Sequence, residues 1–210
     1  MTGHSATRPL LRVSSSGHEG SRRVLTAEPA PDGEPEVRFA GKVFRLTAER
    51  VRFPDGRVSH YDVVRHPGAV AILAVLPKPT RVLLVRQYRH APGRRLWEIP
   101  AGTLDRPGES PQDCAARELV EETGYRAGAL QLVSTFYTAP GFCDERMHLF
   151  AAAKLVRTKG GERDPDEWID VHEVAWPEAL EMARKGEIED AKTLVALGWF
   201  ESYLRPRRTP

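Results

Sequence analysis

The chain has 210 residues, with 31 Lys and Arg against 29 Asp and Glu, a formal net charge of +2 and 40% hydrophobic residues. That apolar content suffices for one cored domain with an appendage, and the near balance of charge lacks the basic excess of a protein whose main partner is nucleic acid. No segment is long or apolar enough to span a bilayer, and the two cysteines, Cys114 and Cys143, make neither a disulfide framework nor a zinc pattern, so a reducing cytoplasm is the expected location.

Residues 1–34 carry Ser14-Ser15-Ser16-Gly17, scattered Arg and Pro29-Ala30-Pro31-Asp32-Gly33, without a sustained apolar period, and read as a disordered extension. Leu10-Leu11 supplies no targeting core. Over residues 35–66 the texture changes to short strands at Val37-Arg38-Phe39, Val43 to Leu46, Val51-Arg52-Phe53 and, after Pro54-Asp55-Gly56, Arg57 to Arg65. This small antiparallel β subdomain is too small to bury a core alone. It must pack on the next domain or on a second copy of the chain, which predicts a homodimer.

The main domain is expected over residues 67–205, with a tail at 206–210. Ala69 to Leu76 is a continuous apolar run of strand length, and Arg81 to Arg89 follows it; both predict buried strands. Further strands are predicted at Leu96 to Ile99, Leu130 to Tyr137 and Met147 to Ala152, helices at Pro177 to Lys185 and Ala191 to Tyr203, and a charged loop at Lys154 to Asp166. This order suits an α/β (α+β) fold, a mixed sheet sandwiched between helices.

Between those strands lies the most informative stretch. Ser110-Pro111-Gln112-Asp113 reads as an N-cap, a proline at the first helical position and an acid answering the cap, and Gly124 sits where a helix stops. On the helix so bounded, Glu118, Glu121 and Glu122 stand at i, i+3 and i+4 and share one face. Their mutual repulsion costs a few tenths of a kcal/mol per close pair, Arg117 offsets part of it, and a hard divalent cation would offset the rest.

Gly102-Thr103-Leu104-Asp105-Arg106-Pro107-Gly108-Glu109, then Arg117-Glu118-Leu119-Val120-Glu121-Glu122-Thr123-Gly124-Tyr125, resembles the Nudix box. The usual box is Gly, five residues, Glu, seven residues, then Arg-Glu-aliphatic-any-Glu-Glu-any-Gly-aliphatic. Here the first gap holds six residues and Tyr125 replaces the last aliphatic; neither departure touches a metal-ligand position. The resemblance implies a Nudix-type α/β/α sandwich and an enzyme that hydrolyses nucleoside diphosphates linked to another group, with Mg2+ and with Mn2+ as a substitute. Arg86-Gln87-Tyr88-Arg89, Arg94 to Gly102, and the loop Ala139-Pro140-Gly141-Phe142-Cys143-Asp144-Glu145 are similar to bacterial ADP-ribose pyrophosphatases. In that family a proline about 15 residues past the box accompanies ADP-ribose, and Pro140 lies 15 after Tyr125.

Residue by residue, the resemblance implies Glu118, Glu121, Glu122 and the Ala101 carbonyl as metal ligands. It implies Glu145 as general base, with the adjacent Asp144 as the alternative, and Glu121 is expected to be catalytic as well as a ligand; Arg89, Glu98, Leu104 and Tyr61 are the residues expected at the substrate. A guanidinium such as that of Arg89 can grip a phosphate bidentately, whereas for Arg86 a surface ion pair is as good a reading. Trp97 reads more readily as packing than as a stacking platform, and strand alternation leaves the face taken by Glu98 open. Tyr61 is offered for adenine, where relatives commonly use an Arg; the neighbouring His60 reads equally as a surface histidine. The implied reaction converts ADP-ribose and water to AMP and ribose 5-phosphate. The alternatives are a diphosphatase for another nucleotide sugar such as GDP-mannose, and a non-catalytic ADP-ribose sensor. No nucleic acid or membrane partner is expected.

Overall fold

The computed structural model describes residues 28–77, 79–158 and 168–204. The expectations for residues 1–27, for most of the charged loop and for the tail lie outside these. Within the expected extension, β1 (Ala30–Pro31) is ordered against β3 (Arg45–Arg52), because Asp32 pairs with Arg50 and Arg52. β2 (Glu36–Ala40) and β4 (Val58–Arg65) complete a four-stranded antiparallel sheet around β3. The runs expected as separate strands at 43–46 and 51–53 largely join in β3, whose pairing with β4 is continuous from Arg45↔Arg65 to Arg52↔Val58.

The main sheet has seven strands. β5 (Ala69–Leu76) pairs in parallel with β10 (Arg146–Arg157), which pairs antiparallel with β9 (Tyr125–Tyr137). β5 and β6 (Arg81–Arg89) share only the Val75↔Val82 and Leu76↔Arg81 pairs before they splay apart. Two short strands enter the opening, β7 (Arg94–Glu98) on β6 and β8 (Ala101–Thr103) on β5, and Pro100 between them accepts from Ile72 N at 2.8 Å. β11 (Ile169–Ala175), absent from the sequence expectation, lines the other side of β6.

Strand alternation sends successive β5 side chains to opposite faces. Val70, Ile72 and Ala74 meet Cys114, Ala115 and Leu119 of α1 (Pro111–Thr123) on one face. Ala69, Ala71 and Leu73 share the other core with Ala179 and Met182 of α2 (Trp176–Arg184) and with Ala196 and Leu197 of α3 (Ala191–Trp199), which a π-helical turn, Phe200–Leu204, extends. A strand buried on both faces reads as a continuous apolar run, as β5 does. The result is an α/β/α sandwich with a mixed sheet.

The small sheet is stitched to the main one where β4 ends. Val64 N donates to Phe142 O at 2.8 Å and Asp144 N to Val64 O at 3.1 Å, so the end of β4 is held against the loop joining β9 to β10. That loop carries Glu145.

Candidate active site

The ends of α1 are as its sequence predicts. Ser110 Oγ accepts from Asp113 N at 3.1 Å, and Gly124, in the left-handed region at φ 72°, donates to Val120 O at 2.9 Å. These caps bring the acidic face of α1 under β8, where a cavity of about 600 Å3 opens. Its walls include Glu118, Glu121, Ala101, Gly102 and Arg106 from the box, Arg89 and Gln87 from β6, Lys192 from α3, and His66 and Glu145 from the junction with the small sheet.

The three box carboxylates have different surroundings. Arg117 grips Glu109 with Nε and Nη2, at 2.8 and 2.9 Å, and its Nη1 lies between Glu118 Oε1 at 2.6 Å and Glu121 Oε2 at 2.8 Å. That pairing holds Glu109 below the usual carboxylate range and raises Arg117 above the ordinary guanidinium value. Glu122 is buried and accepts from Ala101 N at 3.2 Å, so it grips the backbone of the residue whose carbonyl is the expected ligand. Beside them, burial pushes the Cys114 thiol up to about 12, which leaves it protonated and unreactive.

Among the described residues no three Asp, Glu, His or Cys side chains stand close enough to hold an ion as they lie. The site nevertheless suits one in kind. Its donors are all oxygen, and Gly102 keeps clear the space that Glu118 occupies, since a Cβ there would lie 2.1 Å from Glu118 Cδ. Arg117 Nη1 already shows that a positive charge is accommodated between Glu118 and Glu121.

The adjacent acids of the junction loop separate. Glu145 lines the cavity, takes the Thr138 hydroxyl at 2.5 Å and lies 3.7 Å from His66 Nδ1. Asp144 is turned to the junction, accepting from Arg65 Nη1 at 3.0 Å and His66 N at 2.7 Å. Gly68 N donates to His66 Nδ1 at 3.1 Å, so a neutral His66 carries its proton on Nε2.

The residues expected at substrate are not all in one place. Arg89 lines the cavity, held by Glu98, which is itself 1% exposed and faces inward to cations instead of outward to a ligand. Leu104 packs toward the α1-side core. Tyr61 lies in a separate, shallower hollow with Tyr137, Phe142 and Asp144. Trp97 packs edge-on against His172 at 4.8 Å and against the α2–α3 core, with Arg86 stacked over it at 5.3 Å. Sequence reasoning does not find Lys192, His66 and Lys42 on the cavity wall, because contacts between distant segments leave no local pattern.

Residues 65–197 match the family model described as the NUDIX domain. An ADP-ribose pyrophosphatase of Bacillus subtilis is 44% identical over 167 residues, 79% of this chain and 89% of that protein. A GDP-mannose pyrophosphatase of Cronobacter sakazakii is 39% identical over 151 residues, 65% of this chain and 78% of that protein. A solved structure described as an ADP compounds hydrolase shares the fold with a TM-score of 0.71 at 21% identity, covering 84% of this chain and 96% of that one. With the box carboxylates gathered under Gly102 on a capped helix and a family match that runs from the end of β4 into α3, the chain belongs to the Nudix family.

Proposed function

We propose that the protein is an Mg2+-dependent ADP-ribose diphosphatase, with Mn2+ able to substitute, converting ADP-ribose and water to AMP and ribose 5-phosphate. The observation that carries the chemistry is one cavity walled both by Glu118 and Glu121 beside Gly102 and by the cations Arg89 and Lys192. Such a wall suits a diphosphate and its counter-ion. ADP-ribose is favoured over GDP-mannose because the relative named for it is more similar, at 44% against 39% identity, and because Pro140 and the loop to Glu145 follow the ADP-ribose pattern. We also propose that two chains associate through the small sheet.

Nudix hydrolases generally require a divalent metal. Here Glu118, Glu121, Glu122 and the Ala101 carbonyl would hold it, and when bound it supplies Lewis-acid polarisation of the diphosphate oxygens. The chain's own groups do the rest. Arg89 orients a phosphate. Glu145, on the cavity wall and steadied by Thr138, accepts the proton of the attacking water as its oxygen bonds to phosphorus and the bridging oxygen leaves with its electron pair. Glu122 keeps the Ala101 backbone in place.

The test is product release from ADP-ribose and GDP-mannose side by side with Mg2+, with an EDTA control and the Glu118→Gln and Glu145→Gln variants. AMP and ribose 5-phosphate form fastest, EDTA abolishes them, and Glu118→Gln lowers kcat by on the order of 10²–10³. Glu145→Gln lowers kcat more than it raises KM if it is the base. Faster GMP release changes the substrate while keeping the chemistry, and tight binding without turnover makes the chain a sensor.

A further inference from the structure

A second charged cluster, separate from the box, borders the same cavity. Arg89 grips both oxygens of Glu98, Nε to Oε1 at 2.8 Å and Nη2 to Oε2 at 2.7 Å. Lys192 Nζ donates to the same Oε2 and, at 2.9 Å, to Asp190 Oδ1. The other oxygen of Asp190 caps α3, accepting from Thr193 N at 3.0 Å and from the Thr193 hydroxyl at 2.5 Å, and that hydroxyl accepts from Ile99 N at 2.8 Å. The first turn of α3 is thereby bolted to the end of β7.

Lys192 stands against local preference. The first turn of a helix disfavours a cation because the macrodipole is positive there, and Lys192 is only 9% exposed, where an ammonium is costly to desolvate. Apolar residues would fill the place at less cost. A residue that breaks a local rule inside a cavity wall points to use. What the arrangement achieves is the fixing of Glu98: burial pushes its carboxyl up, but Arg89 and Lys192 more than offset that and hold it charged, below the usual range. A fixed carboxylate fixes Arg89 by one edge. Of the five N–H groups of a guanidinium, Glu98 takes two, so three remain beyond that grip on a side chain that lines the cavity.

We infer that Lys192 is a positioning residue which, through Glu98, sets Arg89 as a clamp for a phosphate group of the substrate, with Asp190 holding Lys192 in turn. The inference rests on the reading of the substrate as a nucleoside diphosphate.

The experiment is calorimetric binding of ADP-ribose and of GDP-mannose in EDTA, so that no turnover intervenes, to wild type, Lys192→Met, Arg89→Met and the double variant, with Tm measured for each. Lys192→Met weakens binding about tenfold, the scale of one charge-assisted contact, and the double variant binds no more weakly than Arg89→Met alone, because Lys192 acts through Arg89. Unchanged affinity in Lys192→Met overturns the inference and leaves a structural ion pair. Additive losses overturn it in favour of a direct contact by Lys192. If Lys192→Met fails to fold with Glu98 left short of a partner, Glu98→Gln with Lys192→Met removes both charges together, and wild-type affinity in that pair overturns the inference equally. If wild type binds neither nucleotide sugar in EDTA, KM with Mg2+ is compared across the same variants and an unchanged KM in Lys192→Met overturns the inference; if wild type neither binds nor turns over either one with Mg2+, the substrate class itself falls, and the clamp with it.

Discussion

At Gly102 an added methyl group would lie 2.2 Å from Glu118 Oε1 and 2.3 Å from its Cγ, as well as against Cδ. Its φ lies outside the left-handed region, so alanine meets no backbone penalty there and the whole effect falls on Glu118. Gly102→Ala therefore displaces the carboxylate by roughly an ångström, a misplacement that costs on the order of a hundredfold in rate. The expected result is a kcat/KM lowered about a hundredfold with Tm little changed; near-wild-type turnover would show that Glu118 need not lie beside residue 102. The neighbouring Glu122 reaches Ala101 N, so the same helix holds the backbone just before Gly102.

At the scale of elements, the departure of Tyr125 from the usual aliphatic residue has a structural account. Tyr125 opens β9, and its hydroxyl accepts from Arg157 Nε at the end of β10, at 2.8 Å, and donates to Glu173 Oε1 of β11, at 2.5 Å. Glu173 also takes Arg81 Nη1 of β6 at 2.6 Å, so one hydroxyl joins the paired ends of β9 and β10 to β11, which pairs with neither of them. The Tyr125 hydrogen bond is the first reason the Glu173 carboxyl lies below its ordinary value. Tyr125→Phe should cost about 1 kcal/mol at pH 7, the net worth of such a bond. A carboxyl depressed in the folded state stabilises above its unfolded pKa of about 4.3, and that stability is lost as pH falls through the folded pKa. The gap between wild type and Tyr125→Phe in urea unfolding should therefore hold from neutrality down to about that pH and close below it. A gap that persists unchanged at pH 3 would assign it to packing.

The same elements show what the sequence makes legible. α1 could be read because Ser110-Pro111 and Gly124 write both ends locally, and β5 because burial on both faces demands an unbroken apolar run. β8 could not, since the strand state of three residues comes from pairing with Ala69 to Ala71 and not from their own preference. β11 carries only a weak alternation. In the site, the carboxylate spacing and the i, i+4 place of Arg117 beside Glu121 were visible, but Lys192 meeting Glu98 across 94 positions is a product of the fold.

At the scale of the whole molecule, the described residues leave the small sheet short of cover. Among the described residues β2 pairs on one side only and all five of its residues are exposed, Val37 and Phe39 by 53% and 54%, with Val43 and Phe44 beside them. A sheet of this size, tied to the main domain at Val64 and Asp144, presents apolar side chains and an unpaired edge that water alone serves poorly. A second copy of the chain would cover both at once, and a self-complementary pairing of the same patch is the commonest way to do so. The same sheet sends Lys42 and Val43 to the wall of the cavity, so association would also steady one rim of the site. Light scattering should give a dimer for wild type at micromolar concentration, and Val37→Glu with Phe39→Glu should give a folded monomer with raised KM, because like charges then face each other across the two-fold. A wild-type monomer would remove the dimer, and a dimer that survives both substitutions would move the interface to another face.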